Sequence, residues 1–224
     1  MLKVWHLLKK ALLLAAIFAA LAAGFGVYRL GQAVAPRAAA SVAQVRGWFG
    51  APMQPQSETL IAPLFTPEVM HWQEDIVRWG EVHDVDPNLL ATVMQIESCG
   101  HPTVNSPAGA QGLFQVMPFH FAEVENMLDP DTNAMRGASF INECSRWASG
   151  DVGLTLACYN GGPSVIGKDS RLWPNEVVRY YYWGVAIYAD ALVEKPQSAT
   201  LDEWLNAGGS RLCDSASRVT GARQ

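Results

Sequence analysis

The chain has 224 residues, half of them hydrophobic, which is enough for one ordinary domain with appendages. Its charge is unevenly distributed: residues 1–30 hold four basic residues and no acid, and the remainder holds the other 12 of the 16 basic residues against 21 acidic ones. No basic patch of the kind that nucleic acid requires is present, so we do not expect a nucleic-acid-binding protein.

The chain begins with a membrane-targeting segment, residues 1–30. From Ala11 to Val27 every residue is apolar or glycine, and Lys9 and Lys10 precede this run. A cleavage site at residues 20–22 would leave a short apolar region, so a retained anchor is favoured over a cleaved signal peptide. The sequence therefore predicts a single-pass protein of the cell membrane with its bulk outside the cytoplasm, or a secreted protein if the segment is removed.

Residues 31–65 are rich in Ala, Pro and Gln and are interpreted as a stalk. A helical domain is predicted over residues 66–195, with no convincing strand. Its helices are expected to start at Thr66-Pro67-Glu68, Asp86, Asp131-Thr132-Asn133, Asp151 and Asn175. Residues 196–224 are interpreted as a polar tail with a possible short helix at residues 201–206.

The helix that starts at Asp86 has an unusual last turn. Leu90, Val93 and Met94 recur at helical spacing, and Glu97 takes the next position on the same apolar stripe. Burial and the partial negative charge at a helix C-terminus both disfavour an ionised carboxyl. Glu97 is therefore a candidate general acid, although a solvated or Arg-paired Glu is the commoner finding at a helix end.

Four cysteines stand outside any CxxC pair, which argues against a zinc or redox motif. In an oxidising compartment they favour disulfides over buried thiols, and the pairing is open among three possibilities. The four are Cys99, Cys144, Cys158 and Cys213.

Three ordered motifs follow one another: Glu97-Ser98, "GLFQVMP" at residues 112–118 and "ACYNGG" at residues 157–162. With "EVVRY" at residues 176–180, this order resembles the catalytic domain of the soluble lytic transglycosylase family, which has a lysozyme-like fold and cleaves peptidoglycan. The chain departs from the family pattern at Phe114 and Cys158, which stand where Met and Ala are usual, and neither change removes a functional group.

The resemblance implies an α-rich, lysozyme-like domain that acts on peptidoglycan glycan strands without cofactor or metal. One glutamate, here Glu97, would protonate the glycosidic oxygen and then act as base while the 6-hydroxyl of the sugar attacks, which leaves a 1,6-anhydro end. The cleft would be lined by Ser98, Gln115, Met117, Tyr159, Asn160 and Tyr180, with the two tyrosines holding the Glu97 carboxyl.

Three other functions compete with this prediction. A metal hydrolase is disfavoured because His71, His83, His101 and His120 show no ligand spacing. A non-catalytic glycan-binding module would have no use for an acid at position 97. A hydrolytic lysozyme of the goose type shares the fold and the glutamate, and the sequence does not exclude it. Protein partners, oligomeric state and endo or exo cleavage are not indicated.

Overall fold

The computed structural model describes residues 61–222, so the predicted anchor and residues 31–60 of the predicted stalk lie outside the described residues. The described chain is helical, as predicted, and two isolated bridges within residues 105–116 are its only β-type pairing. The α-helices are α1 (Pro67–Met70), α2 (Gln73–His83), α3 (Pro87–Glu97), α4 (Pro130–Trp147), α5 (Val152–Gly161), α6 (Asn175–Leu192), α7 (Ala199–Trp204) and α8 (Ser210–Thr220). Within residues 61–222 no helix is both long and apolar enough to cross a membrane.

The central helix α3 packs against α2 and α6, and α5 packs against α4 and α6. The N-termini of α3, α4 and α5 are capped by Asp86, Asp129 and Asp151, whose side chains accept hydrogen bonds from main-chain amides. The predicted start of α4 at Asp131 is thus two residues late, because Asp129 and not Asp131 is the cap. The helix predicted to start at Asp151 begins as expected.

The first predicted helix is interrupted. The start at Thr66-Pro67-Glu68 predicted a single helix, but α1 ends at Met70 and α2 starts at Gln73. Between them, the Trp72 indole N–H donates to the Gly100 carbonyl at 2.9 Å. A Cβ atom at Gly100 would lie 2.5 Å from the Glu68 carbonyl oxygen, so this close approach requires glycine. The break in the helix thus allows Trp72 to contact Gly100 in the chain that follows α3.

The C-terminal residues 199–220 differ from the predicted polar tail. They form α7, a wide helical turn (Leu205–Gly209) kinked at Gly208, and α8. Leu201, Trp204, Cys213 and Ala216 are buried in this segment. Ile61, Leu64 and Phe65, from the end of the predicted stalk, are also core residues. The packed helical part of the chain therefore extends beyond residues 66–195 at both ends.

Two disulfides are present, Cys99–Cys213 and Cys144–Cys158, which settles the pairing that the sequence left open. The first joins the residue two positions after Glu97 to α8 across a separation of 114 residues. The second joins α4 to α5. The Cys99–Cys213 bridge thus attaches the C-terminal segment directly behind the end of α3.

Candidate active site

Glu97 is the last residue of α3, as the sequence predicted. Leu90, Val93 and Met94, on the same stripe, have no solvent-exposed surface. Their packing fixes the rotation of the helix about its axis, and this rotation places the Glu97 side chain among helices rather than in open solvent. Glu97 itself is only half-buried, so its carboxyl is enclosed but remains reachable.

The surroundings of Glu97 raise the pKa of its carboxyl from 4.5 to about 8. Loss of hydration on burial is the main cause, and the negative charge of Glu176 on α6 raises the pKa further. The Tyr180 hydroxyl opposes these effects because it stabilises the carboxylate. At neutral pH the carboxyl is consequently protonated and can donate a proton.

Tyr159 and Tyr180 lie close enough to Glu97 for its carboxylate to raise the pKa values of both phenols, which burial already raises. Within residues 61–222 the Tyr180 hydroxyl has no partner at good hydrogen-bond geometry. Its interaction with Glu97 is therefore loose in the free protein. It can shorten when Glu97 becomes charged, because a carboxylate is the stronger acceptor.

The Tyr159 hydroxyl points elsewhere: it donates a 2.7 Å hydrogen bond to the Phe114 carbonyl. Tyr159 is thus engaged with the glycine loop, which we define as residues 101–117. Ser98 acts on the same loop, since its fully buried hydroxyl donates to the Leu113 carbonyl at 2.6 Å and accepts from the Gly100 amide at 3.1 Å. Both residues position backbone in this structure rather than face a cleft.

Gln115 also bonds within the glycine loop. Its side-chain amide donates to the carbonyls of Val104 and Gly112 at 3.0 and 2.9 Å. Its main chain has φ +47°, a conformation that is uncommon for residues other than glycine. The side-chain bonds across the loop hold this conformation in place.

Asn133 has a structural role in the site that its sequence position does not indicate. The sequence places it only at a helix start. Its buried side chain accepts a hydrogen bond from the Phe114 amide at 2.8 Å and donates to the Gln111 and Met127 carbonyls at 2.8 and 2.9 Å. One side chain thereby satisfies three main-chain groups of irregular backbone. Nothing in the sequence pattern distinguishes this Asn from a capping residue, since both occur in the first turn of a helix.

A cleft of about 490 Å³ lies beside the end of α3, and we call it the α6 cleft. Its lining residues come from α3, α5, α6 and the C-terminal segment: Ile96, Asn160, Glu176, Arg179, Tyr180, Trp183, Trp204 and Ala207. Two predicted substrate-binding residues, Asn160 and Tyr180, are therefore brought together here next to Glu97. Met117 is half-buried immediately before the short 3₁₀ helix Pro118–His120 and is not among the lining residues.

A larger pocket of about 740 Å³ lies against α6 at Asn175, Val178 and Tyr181. These positions are on the helix face opposite the α6 cleft, and none of the predicted site residues lines this pocket. Large size alone does not indicate a catalytic function, so the α6 cleft beside Glu97 is the better candidate site.

Within the described residues one cluster has potential metal ligands close together, namely Glu68, Cys99 and Cys213, with ligand atoms within 4.8 Å of one another. The two cysteines are bonded to each other, so their sulfurs are not available as thiolates. The Glu68 carboxylate instead accepts a hydrogen bond from Ser217 on α8.

Residues 75–176 match the protein family described as "Transglycosylase SLT domain". This part of the chain is thus similar to an SLT-type transglycosylase domain. The match includes α3, Glu97, the glycine loop and α5, and it ends at Glu176. Tyr180, Arg179, Trp183 and the whole C-terminal segment lie beyond it.

Curated relatives have names in keeping with this domain. The chain is 35% identical over 115 residues to a protein named "Transglycosylase" from Enterobacteria phage PRD1, covering 49% of this chain and 43% of the relative. It is 30% identical over 98 residues to "Endo-type membrane-bound lytic murein transglycosylase A" from Klebsiella pneumoniae, covering 36% and 48%. It is 27% identical over 108 residues to "Soluble lytic murein transglycosylase" from Escherichia coli K12, covering 43% and 16%. The chain thus spans less than half the length of each of these relatives.

Proposed function

We propose that this protein is a peptidoglycan lytic transglycosylase. It cleaves the β-1,4 bond between N-acetylmuramic acid and N-acetylglucosamine and leaves a 1,6-anhydromuramic end. The observation that carries the proposal is the enclosed Glu97 at the end of α3, whose pKa of about 8 keeps the carboxyl protonated at neutral pH. The SLT-type domain and the names of the relatives support the same activity.

Glu97 acts twice in the proposed reaction. It first gives its proton to the bridging oxygen, so that the bond from this oxygen to C1 of muramic acid breaks and N-acetylglucosamine leaves as an alcohol. The resulting carboxylate then takes the proton of the 6-hydroxyl of muramic acid while that oxygen bonds to C1. No water is consumed, and Glu97 ends protonated as it began.

The neighbours of Glu97 suit this double role. Burial and Glu176 favour the acid form at the start, whereas Tyr180 stabilises the carboxylate formed midway. A second carboxylate is not required as nucleophile, because an attacking hydroxyl held on the same sugar reaches an effective concentration of roughly 10⁵ M or more. A single acid therefore suffices when the substrate supplies its own nucleophile.

The other predicted site residues take supporting roles in this proposal. Tyr159, Ser98 and Gln115 hold the glycine loop at the end of α3 through their main-chain hydrogen bonds. Asn160 contacts the glycan in the α6 cleft. Met117 stays a predicted contact of the sugar.

We further propose that residues 1–30 anchor the protein in the cell membrane with the SLT-type domain on the peptidoglycan side. The lysine-flanked apolar run supports an anchor. The two disulfides support an oxidising compartment outside the cytoplasm.

The test is digestion of purified peptidoglycan followed by mass spectrometry of the products. Wild-type protein is expected to release anhydro-ended fragments, and Glu97→Gln, which is nearly isosteric, is expected to release none while keeping its circular dichroism. Glu81→Gln, the same chemical change on the exposed surface of α2, is the matched control and should digest normally.

Reducing ends, one water heavier than anhydro ends, would identify a hydrolase of the lysozyme kind instead. Undiminished digestion by Glu97→Gln would remove this residue from the chemistry. An inactive wild-type protein that still binds glycan would indicate a binding module.

A further inference from the structure

The α6 cleft contains side chains that the proposed reaction does not use. Arg179 and Trp183 are four residues apart on α6, so they lie on one face of the helix, and both line the cleft next to Tyr180. These residues lie outside the matched family region of residues 75–176. The family match therefore assigns them no role.

Arg179 is an unpaired cation in an acidic domain. Residues 61–222 contain nine basic and 20 acidic residues, a net charge of −11, yet in this part of the chain no carboxylate lies within 4.0 Å of the Arg179 guanidinium. Even Glu176, one turn earlier on the same helix and in the same cleft, does not pair with it. Arg146 on α4 is also exposed and unpaired, but Arg179 differs because it lines the cleft beside Glu97.

Two buried hydrogen-bond donors next to Arg179 lack a well-placed acceptor. The indole N–H of Trp183 has no partner among residues 61–222, and the Tyr180 hydroxyl has only its loose interaction with Glu97. Buried donors are nearly always satisfied in native proteins, so unpaired ones at a cleft indicate a missing acceptor. A guanidinium and N–H or O–H donors on one wall together match a ligand that carries oxygen atoms and negative charge.

The opposite wall of the α6 cleft comes from the C-terminal segment, through Trp204 and Ala207. Trp204 is packed tightly, since a Cβ atom at Gly209 would lie 2.4 Å from its ring. The Cys99–Cys213 bridge and the hydrogen bond from Ser217 to Glu68 hold this segment in place. A ligand group in the cleft is thus confined between a fixed apolar wall and the donor-bearing face of α6.

We propose that Arg179 and Trp183 form a specificity subsite that recognises the ether side arm of muramic acid where that arm carries no peptide and ends in a free carboxylate. Muramic acid differs from N-acetylglucosamine by this carboxylate-bearing arm, and a guanidinium is the side chain whose planar fork matches a carboxylate. The subsite rests on the proposed function and deepens it, because it tells which sugar is placed beside Glu97. The Tyr180 hydroxyl stays available to the catalytic carboxyl.

The experiment measures binding by calorimetry in the Glu97→Gln background, where no cleavage occurs. One probe is peptide-free glycan strands, in which the arm of muramic acid ends in a free carboxylate, and the other is chitohexaose, which lacks the arm. Arg179→Ala is expected to weaken strand binding about tenfold and to leave chitohexaose binding within twofold. Trp183→Phe is expected to weaken strand binding about threefold.

Three controls sharpen the test. Arg146→Ala removes an equally exposed arginine outside the cleft and should leave both affinities unchanged. Arg179→Lys keeps the charge but loses the fork, so an intermediate loss is expected. Raising the salt concentration should weaken strand binding in the Glu97→Gln parent and have less effect once Arg179 is replaced.

Equal effects of Arg179→Ala on both probes, or none on either, would overturn the subsite while the proposed function stands. If the folded Glu97→Gln parent binds neither probe, the proposed function itself fails. The two failures are therefore distinguishable in one set of titrations.

Discussion

The raised pKa of Glu97 makes a prediction about stability that does not depend on catalysis. In the unfolded chain the carboxyl titrates near 4.5 and in the folded protein near 8. Between these values the folded state binds one proton more than the unfolded state, so the free energy of unfolding falls as pH rises. Each pH unit in this window costs about 1.4 kcal/mol.

Glu97→Gln removes this titration. The variant should match the wild-type protein in stability near pH 4.5, exceed it by about 3 kcal/mol near pH 7, and exceed it by about 5 kcal/mol above pH 8. Below pH 4.5 the carboxyl is protonated in both states, so the difference should vanish. A catalytic group can lower the stability of its own protein when its function requires an environment that disfavours its charged form.

The assay is urea unfolding of both proteins, with disulfides intact, at pH values from about 4 to 9. Glu81→Gln on exposed α2 serves as the control, and we expect its difference from the wild-type protein to stay small throughout. If the stability curves of Glu97→Gln and the wild-type protein run parallel over the whole range, Glu97 is not enclosed as described. The general-acid role would then lose its physical basis.

Three further predictions concern the surroundings of Glu97. Glu176→Gln removes a charge that raises the pKa of Glu97, so the decline of activity at high pH should move to lower pH in a pH–rate profile; an unmoved decline would contradict this coupling. Tyr159→Phe leaves the Phe114 carbonyl without its donor, which should cost about 1–3 kcal/mol in urea unfolding and lower turnover; unchanged values would show that another group holds the glycine loop. Cys213→Ser opens the Cys99–Cys213 bridge, which closes a loop of separation 114, and should destabilise the protein by up to about 5 kcal/mol in thermal unfolding. Opening the Cys144–Cys158 bridge, of separation 14, should cost only about 3 kcal/mol. The reverse order would contradict the loop-entropy explanation.

The helix that carries Glu97 could be predicted from sequence because its signals are local. Asp86 and Pro87 mark its start and Gly100 follows its end, and the apolar spacing fixes which face is inward. The position of Glu97 on that face then follows from helical geometry. Its proximity to Tyr180 could be inferred only from the family resemblance, since the two residues are brought together by packing of α3 on α6.

The attachment of the C-terminal segment to the domain could not be predicted, because it depends on partners that are far away in the chain. α8 is amphipathic, with Cys213 and Ala216 on its buried face, but both residues are small and the helix is polar on average, so its sequence resembles that of a solvated helix. The disulfide to Cys99 and the hydrogen bond from Ser217 to Glu68 supply the remaining attachment. Both are contacts between residues more than 100 positions apart, which a local pattern cannot reveal.

In this site a residue can belong to a motif without being free to contact the substrate. Ser98, Gln115 and Tyr159 all belong to the family-like motifs, yet their hydrogen bonds go to main-chain groups of the glycine loop. An irregular loop buried against helices needs hydrogen-bond partners for its amides and carbonyls. The polar side chains of its motifs therefore bond to the loop itself and are not free to bind a ligand.

A ligand can bind to the polar groups that are not fully hydrogen-bonded or ion-paired within the described part of the chain. Among residues 61–222, Trp183 has an unpaired donor, Tyr180 has only its loose interaction with Glu97, and Arg179 has no ion-pair partner. All three lie on α6 and line the cleft beside Glu97. Arg179 and Tyr180 stand within the "EVVRY" motif, and Trp183 follows it. Substrate recognition in this protein should therefore depend more on α6 and the C-terminal wall than on the glycine loop, whose variants should act mainly through stability.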